Sequence, residues 1–119
     1  MVYIIDDDKY VRRGFEILFK SACLKCFSFG SAEEFIDTVH SSSENDVLIL
    51  DMHMPGMSGC ELLNYLAKNE VFFPVIVVTA FDEQESRECA KNYGAVAFLR
   101  KPVDSEALID LIKYSVNPV

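Results

Sequence analysis

Reactive side chains stand where apolar runs stop. Asp6, Asp7 and Asp8 follow the run Val2–Ile5, and Asp51 follows Val47–Leu50. Thr79 follows Val75–Val78, and Lys101 comes two residues after Val96–Leu99. Carboxylates brought together repel one another, and removal from water worsens the repulsion, so a pocket holding several of them wants a cation. An oxygen-rich, partly hydrated site suits Mg²⁺. A Lys in the same pocket supplies a point charge for a phosphoryl oxygen, and a Thr hydroxyl can donate to another. An Asp beside a metal can attack phosphorus and form an aspartyl phosphate.

Such a pocket exists only if the apolar runs lie side by side, and the pattern between them predicts that they do. Val2–Ile5, Val47–Leu50, Val75–Val78 and Val96–Leu99 read as short buried strands, and Lys25–Phe29 alternates like an edge strand. Between them apolar residues recur at helical spacing. Val11, Phe15, Leu18 and Ala22 mark a first helix with Asp8 as its N-cap; Phe35, Ile36 and Val39 mark a second. The second opens on Ser31-Ala32-Glu33-Glu34, a capping-box pattern. Leu62, Leu63 and Leu66 follow the Pro55–Gly59 loop, and Leu108, Leu111 and Ile112 follow a cap at Asp104 or Ser105. The fourth helix opens on Asp82-Glu83-Gln84-Glu85, another capping-box pattern, and ends at Gly94. Its apolar stripe is thin, chiefly Cys89, Ala90 and Tyr93. Five strands alternating with five helices imply a parallel sheet with right-handed crossovers and helices on both faces, a doubly wound α/β fold. In open parallel sheets the C-terminal strand ends face the ligand crevice, where Asp6, Asp7, Asp51, Thr79 and Lys101 would converge.

Composition removes several functions. The 119 residues carry 11 Lys plus Arg against 19 Asp plus Glu, a net charge of -8 that repels nucleic acid and anionic membranes. The longest apolar run, Val71 to Ala80, contains Pro74 and falls far short of the ~20 residues of a membrane span. Acidic residues follow Met1 too soon for a signal peptide, so a cytoplasmic location is expected. Cys23, Cys26, Cys60 and Cys89 are then expected to be free structural thiols. Cys23-Leu24-Lys25-Cys26 has C-x-x-C spacing, but it lies between a helix end and a strand start, and no second ligand pair would complete a zinc site.

VYIIDDD, VLILDMHMPGMSG, VIVVTA and FLRKP, in this order and spacing, resemble the blocks of bacterial response-regulator receiver domains, and the resemblance covers essentially the whole chain. It implies a single receiver domain over residues 1–119 and a flavodoxin-like strand order 2-1-3-4-5; residues 117–119 read either as the start of a linker or as a natural end. It implies that Asp6 and Asp7 hold Mg²⁺, that Asp51 is the phosphoacceptor, and that the His53 backbone carbonyl is a further metal ligand. Thr79 resembles the switch hydroxyl, Phe98 the aromatic switch residue and Lys101 the invariant lysine, followed by a cis bond to Pro102. The implied partners are a sensor histidine kinase or phosphotransfer protein. On phosphorylation, a second copy would dock through the fourth helix, fifth strand and fifth helix. The opening block and Val11-Arg12-Arg13 look most like receivers of DNA-binding regulators of the FixJ type, which implies control of transcription. The domain itself would catalyse only its own phosphorylation and dephosphorylation.

Two enzyme-like or ligand-binding alternatives compete. A Mg²⁺-dependent phosphotransferase or phosphatase of the haloacid-dehalogenase type needs a second Asp two residues after the nucleophile, and His53 stands there. A flavin-binding protein of the same fold needs a hydroxyl- and glycine-rich phosphate loop after the first strand, where Asp6-Asp7-Asp8 would repel phosphate. Plainer readings apply elsewhere: Asp8 as a helix cap, His53 with a solvent-facing ring, His40 in an inert loop, and Met52, Met54 and Met57 on the pocket rim.

Overall fold

Each strand is short because a sheet covered on both faces needs only a few apolar residues per strand. The computed structural model describes residues 1–43 and 45–116, so the expected linker start at 117–119 lies outside the described residues. The elements alternate as β1 (Val2–Ile5), α1 (Lys9–Ser21), β2 (Cys26–Phe29), α2 (Ala32–Thr38), β3 (Val47–Leu50), α3 (Gly59–Lys68), β4 (Val75–Thr79), α4 (Gln84–Tyr93), β5 (Ala97–Arg100) and α5 (Ser105–Val116). The five strands form one parallel sheet in the order β2-β1-β3-β4-β5. This is the doubly wound arrangement that the alternation predicts.

Side-chain alternation along the strands divides the core into two layers. Ile5, Leu48, Leu50, Val75 and Val77 face a layer built with Phe35 of α2, Leu62, Leu63 and Leu66 of α3, and Ala90 of α4. Ile4, Val47, Ile49, Ile76 and Val78 face the other layer, with Phe15 and Phe19 of α1 and Leu108 and Ile112 of α5. Burial of a Leu contributes roughly 1.5–3 kcal/mol, so the three buried leucines of α3 anchor it firmly. The only buried residues of α4 are Ser86 and Ala90, which makes it the weakly held helix that its thin stripe predicts.

Helix ends follow the local chemistry with some corrections. Asp8 accepts from the Tyr10 and Val11 amides, as expected of an N-cap. Ser31 accepts from Glu34 N, but Glu34 Oε2 takes the Gly30 amide rather than that of Ser31, so the box is only half formed. A complete capping box occurs instead at Ser58 and Glu61 of α3. The expected box at α4 does not form: its N-cap, Glu83, makes no side-chain bond to the helix backbone, and Asp82 is engaged by the Arg87 guanidinium. Gly94 ends α4 in the left-handed region with φ 92°, and Asp104 caps α5 by accepting from Ala107 N at 3.1 Å. β5 begins and ends one residue later than its apolar run suggests, so Lys101 follows the strand directly. Thr79 is the last residue of β4, not the residue after it.

Two expectations about sulfur are overturned. Cys60 and Cys89 form a disulfide, with Cα atoms 5.8 Å apart; only Cys23 and Cys26 are free. Spacing along the chain could not reveal this pair, because stacking α3 against α4 on one face of the sheet creates it. Met52 and Met54 are buried in the layer under α3 and do not form the pocket rim, while Met57 packs half-buried against them.

Candidate functional site

The parallel register places the ends of β1 and β3 side by side. Ile5 pairs with Leu50, and the Asp51 amide donates to the Ile5 carbonyl at 3.0 Å, so Asp6 and Asp51 emerge together. Thr79 pairs with Arg100, and the Lys101 amide donates to the Thr79 carbonyl at 2.8 Å, which brings Lys101 to the same edge. One carboxylate oxygen from each of Asp6, Asp7 and Asp51 lies within 4.8 Å of the others. Asp6 and Asp51 are buried and Asp7 is exposed, so the cluster is open on one side.

The two buried acids are served unequally. Asp6 Oδ2 accepts from Lys101 Nζ at 2.7 Å, and its Oδ1 accepts from the Asp8 amide at 2.9 Å. Asp51 has only the His53 amide at 3.4 Å on Oδ1, and Lys101 Nζ stands 3.9 Å from its Oδ2. Burial first, then the Asp6 charge, pushes the Asp51 carboxyl up to about 6, against the opposing pull of Lys101 and the His53 amide. Three carboxylates against one ammonium leave an excess of two negative charges. An under-bonded buried carboxylate, an oxygen-only donor set and that excess charge fit a hard divalent cation such as Mg²⁺.

The other expected residues are placed as follows. Thr79 is fully buried, and its Oγ1 accepts from the Phe81 amide at 3.3 Å. Phe98 pairs in register with Val77, so it shares with Thr79 the sheet face that α4 covers. Its ring is half-buried, and the Arg87 guanidinium lies over it at 4.7 Å. Arg87, Ala90, Lys91 and Phe98 line a groove of about 270 Å³ between α4 and β5. The Lys101–Pro102 peptide is cis. The His53 ring is exposed, but it also packs edge-on against Phe81 at 4.9 Å and places Nε2 3.5 Å from Glu83. His40 is exposed.

Several supporting residues escape sequence reasoning. Arg12 Nη1 donates to the Asp6 carbonyl at 2.7 Å and steadies the acidic turn. Glu33 of α2 accepts from the Met57 amide at 3.2 Å and ties down the loop after Asp51. At Gly59 a Cβ would stand 2.8 Å from the Asp51 carbonyl oxygen, so only glycine lets α3 begin against that strand end. The clue to Gly59 is its place at the end of the Pro55–Gly59 loop; nothing along the chain marks the Arg12 and Glu33 contacts.

Comparison with known proteins agrees with this fold. Residues 2–113 match the family described as response regulator receiver domain. The chain is 32% identical over 117 residues to the DNA-binding transcriptional regulator NtrC of Klebsiella pneumoniae, covering 98% of this chain and 25% of that protein. It is 31% identical over 116 residues to the transcriptional regulatory protein FixJ of Bradyrhizobium diazoefficiens, covering 98% of this chain and 56% of that protein. The structure of response regulator StyR superposes with a TM-score of 0.89 at 35% identity, covering 97% of this chain and 58% of that one. The chain thus spans between a quarter and about half of these curated relatives.

Proposed function

This chain belongs to the response regulator receiver domain family, and from that premise we propose that it is a phosphorylation-controlled switch whose phosphoacceptor is Asp51. The observation that carries the reading is the Asp51 carboxylate itself: buried, poorly hydrogen-bonded, pushed up to about 6, and 3.9 Å from Lys101 Nζ. Near neutral pH such a group is largely ionised yet more basic than an ordinary carboxylate, which suits a nucleophile.

In this reading an Asp51 oxygen attacks the phosphorus of a phosphohistidine on a histidine kinase or phosphotransfer protein. The phosphorus–nitrogen bond breaks, and the imidazole leaves with its electron pair. Lys101 is held by Asp6, close enough to shift toward a phosphoryl oxygen. Asp6, Asp7, Asp51 and the His53 backbone carbonyl would hold Mg²⁺, which supplies charge neutralisation for the phosphoryl oxygens when bound. The Thr79 hydroxyl, bonded only weakly to the Phe81 amide, is free to turn toward the new group. Phe98 would fill the space that this turn vacates, drawing its ring from under Arg87. An apolar ring can move inward without burying an unpaired polar atom.

The output surface is then α4, β5 and α5, used either by an attached module or by a second copy of the domain. NtrC and FixJ are named as transcriptional regulators, which supports an output in transcription and a cytoplasmic place of action. No helix among the described residues is long and apolar enough to cross a membrane. Residues 1–119 are read as one receiver domain, catalysing no reaction beyond its own phosphorylation and dephosphorylation. An enzyme with an Asp nucleophile is disfavoured because the position two residues after Asp51 offers the His53 imidazole, engaged with Phe81 and Glu83, and no second acid.

Hydrogen exchange with and without beryllofluoride, a phosphoryl mimic, tests the switch. The expected result is altered protection over Gln84–Lys101 that is lost in Asp51→Ala. Changes confined to α1 and α2 would overturn the proposed output face.

A further inference from the structure

The helix with the poorest hold on the core is also the one that carries a covalent cross-link. α4 buries only Ser86 and Ala90, and its N-cap residue makes no side-chain capping bond. α3 beside it is anchored by Leu62, Leu63 and Leu66 and closed by a full capping box. The two helices flank β4 in sequence and lie on the same face of the sheet, so the parallel crossovers bring Cys60 and Cys89 together from 29 residues apart. Their Cα separation of 5.8 Å lies in the ordinary range for a disulfide. Sheet and helix packing set that separation, so it should persist when the sulfurs are reduced. Both cysteines are half-buried, not sealed inside.

We propose that Cys60 and Cys89 are a reversible thiol–disulfide modification site, closed by a low-molecular-weight disulfide, whose oxidised form fastens α4 to α3. The chemistry balances without a further reagent. The thiolate of one cysteine attacks a sulfur of the small disulfide, forming a mixed disulfide and expelling one small thiolate. The second cysteine, as thiolate, attacks the protein sulfur of that mixed disulfide and expels the other. Two protein thiols become one disulfide. The small disulfide accepts the two electrons, and the two protons end on the released thiols. A dithiol reductant runs the same steps backwards.

The bond removes the freedom of α4 to separate from α3; otherwise α4 rests on Ser86, Ala90 and the half-buried Tyr93, whose hydroxyl accepts from the Phe73 amide and donates to the Val71 carbonyl, with Arg87 over Phe98. Its local opening should therefore respond to redox state more than that of any other helix. Cys23 and Cys26 serve as an internal control, since Cys23 lies in the turn after α1 and Cys26 opens β2, the edge strand opposite β5. This site does not depend on phosphorylation, and its test needs no phosphoryl donor.

The whole chain is equilibrated with either oxidised glutathione or dithiothreitol. Cross-linked peptides are mapped by mass spectrometry, and amide exchange is followed over α4. The expected result is a Cys60–Cys89 cross-link in the oxidised sample, reversed by dithiothreitol. Exchange over Gln84–Tyr93 should be slower on the order of tenfold in the oxidised form. Exchange in α1 should be unchanged. In Cys89→Ser the redox dependence of α4 should vanish. The proposal is overturned if oxidation yields only mixed disulfides or a Cys23–Cys26 bond. It is equally overturned if the Cys60–Cys89 bond forms while α4 exchange stays the same. The oxidised and reduced wild-type chains decide the matter even if the variant folds poorly.

Discussion

Replacing Asp51 by Asn should stabilise the domain in the absence of metal, and only above the pH at which an ordinary Asp ionises. Burial and the Asp6 charge raise Asp51 from 3.8 to about 6, so the folded chain holds this proton more tightly than the unfolded chain. For a group raised in this way, the stability contribution is fully present below the unfolded value. It is lost as pH rises through the folded one. The window is therefore about pH 4 to 6, and a shift of about two units corresponds to ~3 kcal/mol at ~1.4 kcal/mol per unit. Little of this is screened away, because Asp51 is only 6% exposed. Asn keeps the shape and cannot ionise. Asp51→Asn should thus exceed the wild type by about 2–3 kcal/mol near pH 7.5 and match it near pH 4. The chain has no Trp, so urea unfolding is best followed by far-ultraviolet circular dichroism, with a chelator and a reductant present. Equal stability near pH 7.5, or a gain that does not change with pH, would refute the reasoning.

Lys101→Met should destabilise the folded domain near neutral pH by ~3 kcal/mol, because Asp6 is left buried without its 2.7 Å partner. Urea unfolding measures the loss, and added Mg²⁺ should recover part of it. Gly59→Ala should cost about 1–3 kcal/mol, since its Cβ would press on the backbone of Asp51 and Met52; an unchanged unfolding midpoint would contradict that contact. Phe81→Glu should shorten the lifetime of a phosphoryl group on Asp51, because an apolar ring two residues after Thr79 is replaced by a side chain that can orient an attacking water. His53→Ala should change that lifetime little, as the imidazole leans on Phe81 and Glu83. Loss of phosphate over time from the purified variants would check both.

What the sequence made legible was whatever is governed by short range or by period. Four strands are readable as short apolar runs and the edge strand β2 by its alternation, and the acidic cluster because its members follow those runs directly. The α4 capping box was misread for a physical reason: Asp82 meets Arg87, five residues on, and the charged pair outcompetes the backbone for that carboxylate. The Cys60–Cys89 bond and the Glu33 anchor under Met57 join separate elements through packing alone. Met52 and Met54 read as rim residues in the sequence, yet both are buried in the core layer with Leu62, Leu63 and Leu66 of α3. The charge pattern suggested a mutually repelling trio, and the structure refines it. Lys101 is paired mainly with Asp6, which leaves Asp51 as the carboxylate with unsatisfied capacity.

That unsatisfied carboxylate is the centre of the account, and phosphoryl mapping tests it most directly. The purified chain is incubated with acetyl phosphate and Mg²⁺, the acyl phosphate is trapped by borohydride reduction, and the modified peptide is sequenced by mass spectrometry. The account predicts a single modification at Asp51, dependent on Mg²⁺, absent in Asp51→Ala and strongly reduced in Asp7→Ala. Labelling of Asp6 or Asp7 in the wild type, or undiminished labelling of Asp51→Ala, would contradict it.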